Sequence, residues 1–172
     1  MNIVIEIGDL TKYSVDAIVN PANERLVQGS GVDGVIHKKG GPHIALELRN
    51  FNGCKTGSTV VTRGYQLPAR YVIHTPTPNK EMDNSAELLS KCFMNSLIKA
   101  NQRDFQSIAF PSLGSGFGGG FEDVEVARIA VKSIFDFIRN NDKVSLKTIY
   151  LVLFSGSSER VFKKEFSSYS EA

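Results

Sequence analysis

The chain contains no tryptophan, only two cysteines and only three histidines. Cys54 and Cys92 lie far apart and form no C-x-x-C pair. The sequence therefore offers neither a disulfide framework nor a thiolate clasp, and free thiols in a reducing compartment are expected. His37, His43 and His74 have no zinc-ligand spacing, so no metal site and no cofactor are expected. There is no run of five basic residues and the net charge is +2, which argues against nucleic acid as a partner. No apolar run approaches the roughly 20 residues of a membrane span, so no membrane partner is expected. The first nine residues lack a basic n-region and a long apolar core, and they read as a strand rather than a signal peptide. A cytoplasmic monomer is the expectation.

Two further absences remove enzyme classes. The chain has no Gly-Lys dipeptide, which a Walker phosphate loop requires. Ser115 has Leu113 and Phe117 as its second neighbours, where a nucleophile elbow needs glycine on both sides.

What is present is glycine, concentrated at residues 29–34 and 114–120. Each stretch stands between a strand-like run and a helix-like segment. Glycine permits positive φ and close approach, and amides at a helix N-terminus suit phosphate. Two such loops point to a ligand with more than one phosphate, held from both sides. Gly29-x-Gly31-x-x-Gly34 formally fits the dinucleotide fingerprint. However, the preceding strand ends near Asn20, nine residues before Gly29, and Glu47 falls in helical sequence. Both placements are wrong for a nicotinamide-cofactor site.

The length and the 41% hydrophobic content suit one domain over residues 1–172. Strands are expected at residues 2–7, 16–20 (closed by Pro21), 58–63, 70–75, 106–110 and 147–154. Helices are expected at 32–38, from Pro42 to about Leu48, at 84–100, at 122–139 and at 157–166. This interleaving predicts a mixed sheet covered on both faces. In such sheets ligands sit at the carboxyl ends of strands. Asn20, both glycine stretches and Phe154 all follow strand ends.

Taken singly, the polar residues there have local explanations. Asp9 caps a turn, Asn20 and Asn23 brace the turn around Pro21, and His37 and His74 are structural hydrogen-bonding residues. Phe154 either stacks on a base or packs in the core. Their order is more specific. Gly-Asp-Leu-Thr, Val-Asp-Ala-Ile-Val-Asn-Pro-Ala-Asn and Gly-Ser-Gly-Val-Asp-Gly-Val-Ile-His follow one another, with Arg70-Tyr71-Val72-Ile73-His74 later. This order resembles the macrodomain family of ADP-ribose-binding modules, and within it the MacroD-type branch, from about Ile3 through Phe154.

The resemblance implies a three-layer α/β/α fold with a mixed central sheet. It implies that Asp9 accepts from the adenine amino group with Leu10 beside it, and that Phe154 packs on the ring. Asn23 is implied at the distal ribose, and Gly31, Val32 and Asp33 along the diphosphate and that ribose. Asn20 joins the ligand-lining set, and Ser115, Gly116, Phe117 and Gly118 supply amides from the other side. In hydrolytic members Asn23 and Asp33 correspond to the pair required for turnover. The implied reaction is hydrolysis of an acyl ester at the distal ribose, on ADP-ribosylated Asp or Glu or in O-acetyl-ADP-ribose. The stretch Gly114-Ser115-Gly116-Phe117-Gly118-Gly119 has glycine where the branch has an aromatic. A non-catalytic reader of ADP-ribosylated proteins therefore stays open, with an RNA or poly(ADP-ribose) binder as a third class.

Overall fold

The computed structural model describes residues 1–116 and 118–170. Six strands, β1 (Asn2–Ile7), β2 (Ala17–Ala22), β3 (Val60–Arg63), β4 (Tyr71–Pro76), β5 (Ser107–Phe110) and β6 (Thr148–Leu153), form one sheet in the order β1-β6-β5-β2-β4-β3. Only the β3–β4 pair is antiparallel, so the sheet is mixed. Five helices accompany it: α1 (Gly31–Gly40), α2 (His43–Leu48), α3 (Ser85–Gln102), α4 (Asp123–Asn140) and α5 (Gly156–Ser170).

Strand side chains alternate between the two faces. Ala17, Val19, Ile108, Phe110 and Ile149 join one core cluster with Phe93 of α3, Ile134 of α4 and Phe162 of α5. The residues between them, Ile18, Ala109 and their neighbours Val72 and Val152, join a second cluster with Ile36 of α1 and Ile44 of α2. The result is the expected α/β/α sandwich. Helix α4 shows how sequence sets the packing. Val126, Ala130, Ile134 and Phe137 recur at helical spacing and are fully buried, each larger side chain contributing about 1.5–3 kcal/mol by leaving water.

Most boundaries fall within two residues of the sequence reading, and two differences have a clear physical reason. Strand β2 runs through Pro21 to Ala22, pairing Pro21 with Thr75 of β4. The carbonyl of Ala22 faces β4, accepting from Thr77 N, so the neighbouring Pro21 nitrogen faces the other side. There β5 has already ended, its last partner being Ile18. No ladder bond is lost, and the proline is tolerated. Helix α5 extends four residues past the expected end at Phe166, because Tyr169 stacks on Phe135 of α4 with ring centroids 4.9 Å apart.

The five parallel strands end on a single edge of the sheet. The strand order places Asp9 (after β1) beside Phe154 (after β6). Next come the loop after β5, carrying residues 114–120, and the loop after β2, carrying Asn23 and residues 29–34.

Candidate ligand site at the carboxyl edge of the sheet

At one end of this row, Asp9 caps the one-turn 3-10 helix Leu10–Lys12. Its Oδ1 accepts from Thr11 N (2.9 Å) and Thr11 Oγ1 (2.6 Å). The Thr11 hydroxyl bond is the main reason its carboxyl titrates below the usual range. Leu10 is buried beneath it. Gly8 N donates to Leu153 O, which holds the two strand ends together and keeps Phe154 next to Asp9. Phe154 is 75% exposed. Of its two sequence readings, core packing is excluded.

At the other end, β2 delivers Asn20 and Asn23. Asn23 bridges a tight turn: its Nδ2 donates to Val27 O (2.7 Å) and its Oδ1 accepts from Val27 N (3.3 Å). Asp33 sits in the first turn of α1 and is only 5% exposed. Its Oδ1 accepts from Asn20 Nδ2 (2.7 Å) and its Oδ2 from Gly29 N (2.5 Å). His37, one helical turn on, places Nε2 3.4 Å from Oδ1. Burial pushes the Asp33 carboxyl upward, but the bonds from His37, Asn20 and Gly29 outweigh it and hold the group below the usual carboxylate range. Asp33 is therefore a carboxylate at neutral pH. Gly29 lies between the two candidate catalytic residues. A methyl there would stand 3.3 Å from Asp33 Oδ2 and 3.6 Å from Asn23 Nδ2.

Helix α1 begins inside the first glycine stretch. Gly31 takes φ +60°, and the N-cap residue Ser30 makes no side-chain cap bond. The first intrahelical bond is Gly34 N to Ser30 O (3.3 Å). The amides of Gly31, Val32 and Asp33 are left as an open anion-binding end.

The second stretch is different. Gly114 and Gly120 have φ +82° and +77°, and Phe121 N donates back to Gly114 O (3.1 Å). Gly116 O accepts from both Gly119 N and Gly120 N, and Ser115 Oγ donates to Ser112 O. The amides of Gly116 and Gly118 donate to no described residue. The segment after β4 braces the loop from outside. Asn79 Nδ2 donates to Gly118 O and Lys80 N to Gly119 O, both at 2.7 Å. Contrary to the sequence expectation, this loop does not open onto a bare helix end. Glu122 caps α4 in a reciprocal capping box with Glu125, so the helix dipole is already met by its own carboxylates. Phe117 lies outside the described residues.

The residues around Asp33 take roles other than those the sequence reading assigned to them. Asn20 is fully buried, so it reaches any ligand only through Asp33. His74, on β4, is fully buried and places Nδ1 3.0 Å from Asn20 Nδ2 and Nε2 2.9 Å from Thr62 Oγ1. Burial drives its pKa down to about 3, so the ring is neutral. The Asp33–His37 contact was visible as a four-residue spacing on one helix. The Thr62–His74 contact was not, because it depends on strand pairing. Two surface concavities, of about 490 Å³ by Arg63 and Tyr71 and about 570 Å³ by Asp104 and Ser145, lie at the opposite edge of the sheet.

The edge of a mixed α/β/α sheet, with an open helix end and a buried carboxylate beside an exposed aromatic, defines a class of binding domain. Comparison with known proteins assigns its family. The Macro domain family model matches residues 19–130. A Macro domain-containing protein of Methanosarcina mazei is 41% identical over 162 residues, covering 93% of this chain and 85% of its own. The human ADP-ribose glycohydrolase MACROD2 is 39% identical over 165 residues, covering 94% of this chain but 38% of its own length. This chain therefore spans little more than a third of that relative. The Trypanosoma brucei macrodomain solved in complex with ADP-ribose superposes with a TM-score of 0.88 at 36% identity, covering 95% of this chain and 68% of the other. The chain belongs to the macrodomain family.

Proposed function

We propose that this chain binds ADP-ribose along the row from Phe154 to Asp33 and hydrolyses mono-ADP-ribosyl esters at the distal ribose. In this reading Asp9 and Phe154 take the adenine, whose face suits stacking on an exposed ring. The open amides of Gly31 and Val32 and those of Gly116 and Gly118 grip the diphosphate from two sides. Asn23 holds the distal ribose and Asp33 the attacking water. Water adds across the ester C–O bond, the acid leaves as a carboxylate, its proton passes to solvent, and ADP-ribose keeps a free hydroxyl. The family assignment and the relatives named for ADP-ribose support the ligand.

The observation that carries the chemistry is the Asp33 carboxylate, buried, ionised and flanking Gly29 opposite Asn23. A general base works best with a pKa near the working pH. Asp33 is held below that, which favours orienting and polarising water over full proton removal.

One observation favours the second reading, a non-catalytic reader. Asp33 Oδ2 ties down the first loop through Gly29 N, a shaping role that needs no turnover. Incubation with a protein mono-ADP-ribosylated on acidic side chains separates the two. The hydrolase reading expects time-dependent release of free ADP-ribose. No release, alongside calorimetric binding of ADP-ribose near micromolar affinity (about −8 kcal/mol), establishes the reader.

A further inference from the structure

The hydrogen bonds around Asp33 run in one direction, held at one end by the acceptor-only Asp33 carboxylate and at the other by Thr62 on the β3–β4 hairpin. Thr62 on β3 has one hydroxyl proton and donates it to Arg63 O at 3.0 Å. Toward His74 Nε2, 2.9 Å away, its oxygen is then left to accept, which matches a His74 proton on Nε2, the tautomer that the Asn20 amide facing the Asp33 carboxylate also requires. Nδ1 is then an acceptor and receives one N–H of Asn20 Nδ2. The other N–H of the same amide goes to Asp33 Oδ1. Both amide protons are committed, so the amide cannot turn to find a donor for its buried Oδ1, which has no partner among the described residues.

The reverse arrangement fails. A proton on Nδ1 would face the Asn20 N–H group. Turning the amide to relieve that conflict would set its oxygen against the Asp33 carboxylate.

We propose that Thr62 is a remote positioning residue for Asp33: its hydroxyl holds His74 in the tautomer that accepts from Asn20, and so supports the amide orientation that presents an N–H to the carboxylate. The ring's neutrality agrees with this chain, because a doubly protonated His74 could not accept from Asn20. The titratable groups facing Asp33 are His37 on its own helix and His74 on β4. Thr62 touches neither Asp33 nor the open face of the site, and it is 1% exposed. For its consequence on turnover the inference rests on the hydrolase reading; its structural content does not.

The test is NMR on the unliganded protein, joined to kinetics. Wild-type His74, read from its ring nitrogen shifts near neutral pH, is expected as the Nε2–H tautomer; the Nδ1–H form overturns the proposal. Thr62→Val keeps the shape and removes the hydroxyl. Its Asp33 carboxyl carbon is expected to titrate about one pH unit higher than in wild type, since a bond to a charged group is lost. The expected fall in kcat is roughly tenfold with KM nearly unchanged. Thr62→Ser, which restores the hydroxyl, is expected to return both values to the wild-type range. A folded Thr62→Val with an unmoved Asp33 midpoint, or equal losses in Val and Ser, overturns the proposal. If Thr62→Val does not fold, the wild-type tautomer decides. If wild type releases no ADP-ribose, the hydrolase reading fails alone, and the tautomer and titration still judge the linkage.

Discussion

Residues 29–34 and 114–120 are both glycine-rich, and both lie at the start of a helix, yet the fold uses them in opposite ways. The first runs directly into α1, whose opening amides carry no cap, and it is anchored from below by the buried Asp33 carboxylate. The second closes on itself through backbone bonds and is braced by Asn79 and Lys80, while Glu122 and Glu125 close the end of α4. Glycine content alone does not make a helix end available to phosphate. What matters is where the first-turn carboxylate turns: Asp33 bonds Asn20 and Gly29 and leaves the opening amides of α1 free, whereas Glu122 and Glu125 close on the end of their own helix. In the proposed binding mode, a phosphate at the first loop would meet amides and the helix dipole together. At the second it would meet loop amides only.

The largest expected effect tests the chemical half of this contrast. Asp33→Ala should lower turnover of an ADP-ribosyl ester by about 10²–10⁴ while calorimetry still registers ADP-ribose. A loss of only a few-fold would reduce Asp33 to a loop anchor and make the two loops equivalent.

Acid should weaken the first region selectively. His74 has a folded pKa of about 3 against an ordinary 6.5, so its contribution is complete above pH 6.5 and is lost as pH falls toward 3. Asp33, lowered by its bonds, contributes above its ordinary range near 4 and loses that contribution as pH drops through its folded value. Both act with the same sign. Urea midpoints are expected to fall between pH 7 and pH 4, by a few kcal/mol in unfolding free energy, since each tenfold difference in proton affinity between folded and unfolded chain is worth about 1.4 kcal/mol. Amides in α1 and β4 should lose exchange protection before those in α4. Flat stability over this range would mean that His74 is not neutral in the fold.

Within the second loop, glycines differ in what they tolerate. A methyl on Gly119 would lie 2.0 Å from Gly114 O, whereas one on Gly118 meets nothing within 4 Å. Gly119→Ala should destabilise by about 1–3 kcal/mol and weaken ADP-ribose binding. Gly118→Ala should leave the melting temperature in place. Equal melting temperatures would show that the loop does not hold this closed form.

The smallest effect probes the capped helix. Glu122→Ala should cost about 1 kcal/mol of stability without reducing ADP-ribose affinity, because that helix end is not offered to the ligand. A tenfold loss of affinity would place the α4 terminus inside the site.

The sequence was most legible where local patterning settles the outcome. The run from Val126 to Phe137 reads as a buried helix face, and the β-branched run ending at Asn20 reads as a strand. The Asp-Gly-Val-Ile-His spacing puts Asp33 and His37 on one helix. The ordered motifs also carried the family resemblance. Strand pairing was needed for the rest. Pro21 continues β2 because β5 stops short, and Phe154 is exposed because it follows the last residue of β6. The capping box depends on the side chains of Glu122 and Glu125 turning back on the backbone.

By itself, then, the sequence determined the order of elements, the α/β/α architecture and the set of residues gathered at one edge of the sheet, since these follow from periodicity and from strand ends. Only the tertiary structure decided which glycine loop presents an open helix end. It alone joined Thr62, His74 and Asn20 to Asp33, because hydrogen-bond direction among buried groups is fixed by neighbours that are distant in the chain.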